Sequence, residues 1–311
     1  MIYENPRIGF IGFGEVAYHF SKGHKEDGIR EILAYDKNAR DIKIGEMVRR
    51  RAKEVGVQLA PSLRQVVAES DLVFSAVWGN VALKVAERCA SFVRGGQFYC
   101  DLNNSAPSVK MRGAETLNAK GAKYVDLALF VAPEQDRHRS FMLASGDGAR
   151  PFRRIMARYG LKPEVIPGGA GKATMMKTLV NIYYKGIQAL CLELAMSAWE
   201  VGVEPDLLSP LVVKPVESLP KEEEMAFWIL RGILHAERKT AELESILKAM
   251  REWGVKPIMM EATRKRLKTV SKSGLKGYIK EDSHRGMDRS LLRAIGRAEK
   301  ERRLQILLGR L

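Results

Sequence analysis

Arg7-Ile8-Gly9-Phe10-Ile11-Gly12-Phe13-Gly14-Glu15-Val16-Ala17 decides how the first half of this chain is read. An apolar run stops at a glycine, a second glycine follows two positions later, and a small residue comes three positions after that. A buried strand that turns on such glycines and re-enters as a helix is built to hold a pyrophosphate. Gly12 permits the tight turn. Gly14 puts no side chain between the phosphates and the backbone. Ala17 lets the helix pack closely on the strand. The anion would rest on the free N–H groups at the helix start, where the dipole favours negative charge. Glycine spacing alone is a weak signal, and its context strengthens it. A second apolar strand, Ile32-Leu33-Ala34-Tyr35, ends at Asp36, about 20 residues further on, where a ribose-binding acid is expected. Gly12, Phe13, Gly14, Glu15 and Val16 are therefore the expected cofactor turn, and Asp36 the acceptor for the ribose hydroxyls. A carboxylate there repels a 2′-phosphate, so NAD is expected rather than NADP. Lys37 and Arg40 keep NADP open, and a helix N-cap is the competing role for Asp36.

Further along, Leu72-Val73-Phe74-Ser75-Ala76-Val77 is another apolar strand. Val77 and Trp78 at its end are candidates for the cofactor side. An amphipathic helix containing Ile42, Ile44, Met47 and Val48 precedes it, and Val81 to Ser91 reads as a helix after it. Gln97 to Cys100, Tyr124-Val125 and Phe141 to Ala144 read as later strands. Continuous apolar strands alternating with helices predict the α/β class: a Rossmann-type, doubly wound, mainly parallel sheet covered on both faces. The texture changes near Pro167-Gly168-Gly169. From Gly171 to about Val201 no proline intervenes, which predicts one helix of roughly 30 residues, about 45 Å long. Glu222 to Trp253, Met259 to Thr269 and Arg289 to Leu308 also read as helices. The expected organisation is a dinucleotide-binding domain over 1–167 and an all-helical substrate and dimerisation domain over 168–311.

With these segments in view, the chain resembles the β-hydroxyacid dehydrogenases, the group of 3-hydroxyisobutyrate and 6-phosphogluconate dehydrogenases. The glycine turn is similar to the family's opening. Asp101-Leu102-Asn103-Asn104-Ser105-Ala106-Pro107 resembles its substrate loop, and Gly171 to Asn181 its catalytic helix. His235-Ala236-Glu237-Arg238-Lys239, with Glu242 and Gly254-Val255-Lys256-Pro257, resembles a subgroup with a short phosphogluconate-dehydrogenase-like C-terminal domain. Asn103 stands where the family usually has serine, Ala173 replaces a glycine, and Val180 replaces the first of two asparagines. These departures bear on the substrate more than on the reaction class. The resemblance implies hydride transfer between a nicotinamide cofactor and a small β-hydroxy acid or its keto or semialdehyde form. It implies Lys177 as the catalytic lysine, Asn181 as its companion, and Asn103, Asn104 and Ser105 in substrate binding. It also implies a homodimer. Imine or other carbonyl reduction on the same scaffold, or a non-catalytic dinucleotide-binding protein with a basic tail, are the competing functions.

The chemistry needs such residues. Oxidising an alcohol requires a group that takes the hydroxyl proton while hydride leaves the carbon. An amine serves if burial or another cation lowers its pKa. Lys177 lies among Met175, Met176, Leu179 and Val180, and a solvated helix face is the other reading of that pattern. Asn181 follows one turn later on the same face. His235 and Arg238, three residues apart, could reach a carboxylate or phosphate, or could simply face solvent.

The net charge is +15, and residues 262–311 carry 15 Lys or Arg against 5 Asp or Glu. These cations are mixed with Leu and Ile at helical spacing and no recognition motif accompanies them. They read as a solvated surface whose field draws an anionic cofactor and substrate, and a nucleic-acid partner is not expected. Three widely spaced cysteines, Cys89, Cys100 and Cys191, read as reduced core thiols, and no metal-ligand spacing is present. No apolar run is long enough for a membrane span and the start lacks a secretory signal, so a cytoplasmic protein is expected.

Overall fold

The computed structural model describes residues 4–218 and 221–278. β1 (Ile8–Ile11) leads through the glycine turn into α1 (Glu15–Glu26). There follow β2 (Ile32–Tyr35), α2 (Ile44–Glu54), β3 (Gln58–Leu59), α3 (Leu63–Glu69), β4 (Leu72–Ser75) and α4 (Ala82–Ala90). Then come β5 (Phe98–Asp101), α5 (Pro107–Asn118), β6 (Lys123–Leu129), β7 (Met142–Ser145), α6 (Ala149–Met156) and β8 (Glu164–Val165). The strands form one sheet in the order β3-β2-β1-β4-β5-β6-β7-β8. Only the β6–β7 pair is antiparallel. This is the mainly parallel, doubly wound sheet expected from the sequence.

Both faces of the sheet are covered. Phe10, Phe74, Phe98 and Val125 pack on one side with Phe20 and Phe152. Ile11, Val73, Tyr99 and Tyr124 pack on the other with Val66 and Leu117. Every residue of β1, β4, β5 and β7 is buried, so alternate residues are apolar on both faces and the strands read as unbroken runs. Each fully buried side chain of this size stabilises the fold by roughly 1.5–3 kcal/mol. Strand order reverses at β1, where Ile8 pairs with Ile32 on one side and Leu72 on the other. Ligands in such sheets bind beyond the C-terminal strand ends at this reversal.

The expected helix around Ile42 begins later. Ile42 is 89% exposed and lies in the segment before α2. Cys89 and Cys100 are buried thiols, whereas Cys191 is exposed, so the expectation of core thiols holds for two of the three.

α7 (Lys172–Glu200) is a single helix of 29 residues, matching its proline-free sequence. The chain divides into two compact units, the first ending at Ile182 and the second beginning at Tyr183. The first turns of α7 belong with the sheet because Ala173 and Thr174 donate their backbone N–H groups to Ser145 Oγ and Asp126 Oδ2, both at 3.0 Å.

The second unit continues with α8 (Pro205–Val213), α9 (Lys221–Leu234), α10 (Ala236–Glu252) and α11 (Ile258–Lys272). The single helix expected over 222–253 is two helices, broken at His235. The helix expected over 289–308 lies outside the described residues. Glu193 of α7 accepts the backbone N–H groups of Met259 and Met260 at 2.7 and 3.1 Å, and so caps the start of α11. Leu230, Ile233 and Leu275 form a small core. Among the described residues, no helix is long and apolar enough to cross a membrane.

Candidate functional site

The glycine turn lies at the reversal of the sheet. Gly12 has φ +87°, and a Cβ there would collide with the Ala76 carbonyl at the end of β4. Only glycine combines that backbone with that close approach. The Phe13 ring is fully buried, and its N–H donates to Asp36 Oδ2 at 2.8 Å. Asp36 Oδ1 accepts the Asn38 N–H at 2.8 Å. Asp36 therefore braces the glycine turn and a turn of its own, and does not cap α2, which begins at Ile44. Gly14 starts α1 with no side chain capping the helix and open space where a Cβ would be. An uncapped helix start, left open at the Gly14 Cβ position among the described residues, fits a pyrophosphate. Glu15 is exposed, Val16 and Val77 are half-buried, and Trp78 is 84% exposed.

The loop after β5 is fastened to the loop after β4. Asn103 is buried; its Oδ1 accepts the Val77 N–H at 2.6 Å and its Nδ2 donates to Ser75 Oγ at 2.9 Å. Its amide thus joins two loops at the ligand-binding edge. Asn104 is exposed. The Ser105 hydroxyl oxygen is buried without a hydrogen-bond partner among the described residues, a state that a bound ligand relieves.

Behind these loops lies a group of charges that sequence reading passes over. Lys110 of α5 is fully buried and pairs with Asp101 at 2.7 Å and Asp126 at 3.6 Å. Tyr124 donates its hydroxyl to Asp101 Oδ2 at 2.6 Å. Thr174 donates its hydroxyl to Asp126 Oδ1 at 2.6 Å, and Gly171 its N–H to Asp126 Oδ2 at 3.0 Å. The sequence does carry a signal here: Lys110 begins the stripe Lys110, Gly113, Ala114, Leu117 that α5 buries, at core-facing helical spacing.

Lys177 lies one turn along α7 from Thr174 and is half-buried. Burial first, and then the Lys110 charge, push its amine below the ordinary lysine value, while Asp126 pulls the other way. Asn181 is half-buried one turn further on. An amine lowered in this way can exchange a proton closer to neutral pH than a free lysine can.

His235 and Arg238 belong to the second unit. His235 stands at the break before α10, and Arg238 lies in the first turn of that helix, already paired with Glu242. Partial burial, then Arg231, Arg238, Lys239 and Lys276, push the His235 imidazole below its ordinary value.

Residues 7–150 match the family of the NAD-binding domain of 6-phosphogluconate dehydrogenase. The matched segment contains the glycine turn, Asp36 and the Asn103 loop. Over most of its length, the chain is 28% identical, across 264 residues, to an uncharacterized 28.5 kDa protein of Methanothermus fervidus, covering 85% of this chain and 98% of the relative. A solved protein of unknown function, described as structurally similar to 3-hydroxyacid dehydrogenases, is also 28% identical. That likeness covers 87% of this chain and 99% of the other, with a TM-score of 0.56. A reductive aminase from Aspergillus terreus, solved with NADPH and ethyl-5-oxohexanoate, shares the fold at 17% identity. Its TM-score is 0.68, over 87% of this chain and 95% of that one. The fold is that of nicotinamide-dependent, hydroxyacid-dehydrogenase-like proteins.

Proposed function

We propose that the protein transfers hydride between NAD and a small anionic β-hydroxy acid, or its keto or semialdehyde form, with Lys177 as general acid–base. The observation that carries this reading is the placement of Lys177, half-buried one turn along α7 from Thr174, which is tied to Asp126 and so to the buried Lys110; burial first and then the Lys110 charge favour the neutral form of the Lys177 amine. As a neutral amine it takes the hydroxyl proton during oxidation; as an ammonium it returns the proton during reduction. A bound nicotinamide supplies the hydride acceptor or donor. The turn from Gly12 to Val16 and the start of α1 hold the pyrophosphate, and Asp36 takes the ribose hydroxyls, with Val77 and Trp78 on the cofactor side. Asn181 and Ser105 orient the substrate, Asn103 fixes the two loops, and Asn104 lies at the rim. The assembly is a homodimer.

The deciding experiment is turnover with a panel of hydroxy acids in parent and variants. Lys177→Ala loses roughly 10²–10⁴ in rate with cofactor affinity nearly unchanged. Lys177→Arg is nearly as damaging, because a guanidinium stays protonated. Asn181→Ala costs less. In the oxidation direction, the parent rate rises with pH through an amine pKa below the ordinary 10.5. Lys177→Ala retaining most of the activity on a confirmed substrate would sink the mechanism.

For the cofactor, fluorescence titration is expected to give tighter binding of NAD. Tighter NADP would reassign discrimination from Asp36 to the exposed Lys37 and Arg40. A second reading, reduction of imines or carbonyls, draws on the reductive-aminase likeness in fold. It predicts turnover of ketone–amine pairs that survives Lys177→Ala.

A further inference from the structure

Lys110 has no place in a purely apolar core. It stands where α5 presents Gly113, Ala114 and Leu117 to the sheet, and its side chain is wholly buried. A buried ammonium persists only where carboxylates and acceptors answer it. Here they do. Its Nζ donates to the Asp101 carbonyl at 2.9 Å and to Asp101 Oδ1 at 2.7 Å, and Asp126 Oδ1 lies at 3.6 Å. From this ammonium two branches run out. Through Asp101, whose Oδ1 also accepts the Asn103 N–H at 2.8 Å, one reaches Asn103 and so the Val77 N–H. Through Asp126, which accepts from Gly171 and from both the N–H and the hydroxyl of Thr174, the other reaches the first turn of α7. Lys177 follows one turn later.

Stability does not by itself explain such a triad, since apolar residues of similar volume often serve a core as well as a buried ion group. We propose that Lys110 is a positioning residue for the Lys177 amine: buried between Asp101 and Asp126, it fixes the α7 start against the Asn103 loop and sets a second cation behind that amine. This rests on the acid–base role given to Lys177. The charged groups facing that amine are Lys110 from α5 and Asp126 from β6; burial and Lys110 favour its neutral form, and Asp126 opposes them.

The test is a titration of the Lys177 amine in the full-length protein, with no substrate present. Reductive methylation with ¹³C-formaldehyde labels lysine amines, and the Lys177 resonance is the one missing from Lys177→Arg. Lys110→Gln keeps a donor toward Asp101 without the charge. The paired K110M/D101N removes one positive and one negative charge together. In both, the Lys177 titration is expected to move to higher pH, and amide exchange over 171–178 to quicken. A folded variant whose Lys177 titration matches the parent overturns the proposal, whatever its loss of stability. Thr174→Val breaks the tie on the α7 side while leaving every charge in place. Exchange over 171–178 must quicken there too, and unchanged exchange overturns the proposal even if neither Lys110 variant folds. Because no arm uses a substrate, failure to find hydroxy-acid oxidation would count against the proposed reaction alone.

Discussion

His24 of α1 is wholly buried, and neither ring nitrogen has a hydrogen-bond partner among the described residues. The rings of Phe20, Phe74 and His138 lie at 6.2, 6.1 and 4.3 Å. Burial, then the His138 and Arg139 charges, push its pKa well below the ordinary 6.5. The folded chain keeps this ring neutral, whereas the unfolded chain protonates it near 6.5. Its contribution is therefore whole above that value and falls away as the pH drops below it. His138 shifts the same way, chiefly by burial. His24→Leu is expected to leave stability at pH 7.5 within about 1 kcal/mol, since it discards unpaired polar atoms, and to flatten the fall of Tm on the acid side. An acid limb as steep as the parent's would assign that sensitivity to other groups. At this scale the sequence is legible where chemistry demands one residue type in one place: Gly12 for a left-handed turn, Asp36 after a strand. It marks Lys110 only as part of a core-facing stripe on α5 and does not pair it with Asp126, which looks like an ordinary charge until the fold buries the two together. It also does not show that the Asn103 amide is engaged by Val77 and Ser75.

Strands β1, β2 and β4 are legible as apolar runs because burial on both faces removes the polar half of the usual alternation. β3 and β8 have two residues each, too few for any period. α9 and α10 read as one helix because the hydrogen bonding nearly continues through their junction. His235 donates its N–H to the Arg231 carbonyl at 3.3 Å, and Lys239 donates to the His235 carbonyl at 2.9 Å. The capping of α11 is a tertiary fact: Glu193 lies on α7, 66 residues before Met259. That carboxylate answers two N–H groups left over at a helix start and complements the dipole there. Glu193→Ala should destabilise the chain by about 1–2 kcal/mol, in the range of a lost helix cap, measured by urea unfolding. Glu193→Gln, which keeps an acceptor oxygen, should recover part of that loss. Equal losses for the two would mean that side-chain packing, and not the cap, sets the effect.

For the whole molecule, the second unit leaves much apolar surface in water. Leu192, Met196, Trp199, Leu207 and Leu211 are all exposed, Trp199 at 78%. Surface of this kind usually marks an interface, and the proposed homodimer covers it with a second copy. Light scattering at micromolar concentration should give twice the 34.9 kDa chain mass, and a Trp199→Glu variant should shift the balance toward monomer. A parent that stays monomeric under those conditions refutes the dimer. The exposed helices acquire a further meaning from the borders of the sheet. A strand edge of two residues offers too few free N–H and carbonyl groups to template another chain, and both borders of this sheet are of that kind. The apolar strands between them, whose bare edges would offer rows of unpaired N–H and carbonyl groups, are fenced in on either side. Growth by adding strands is closed to the native molecule, and self-association is left to its helices, whose side-chain packing can specify a partner and a stopping point.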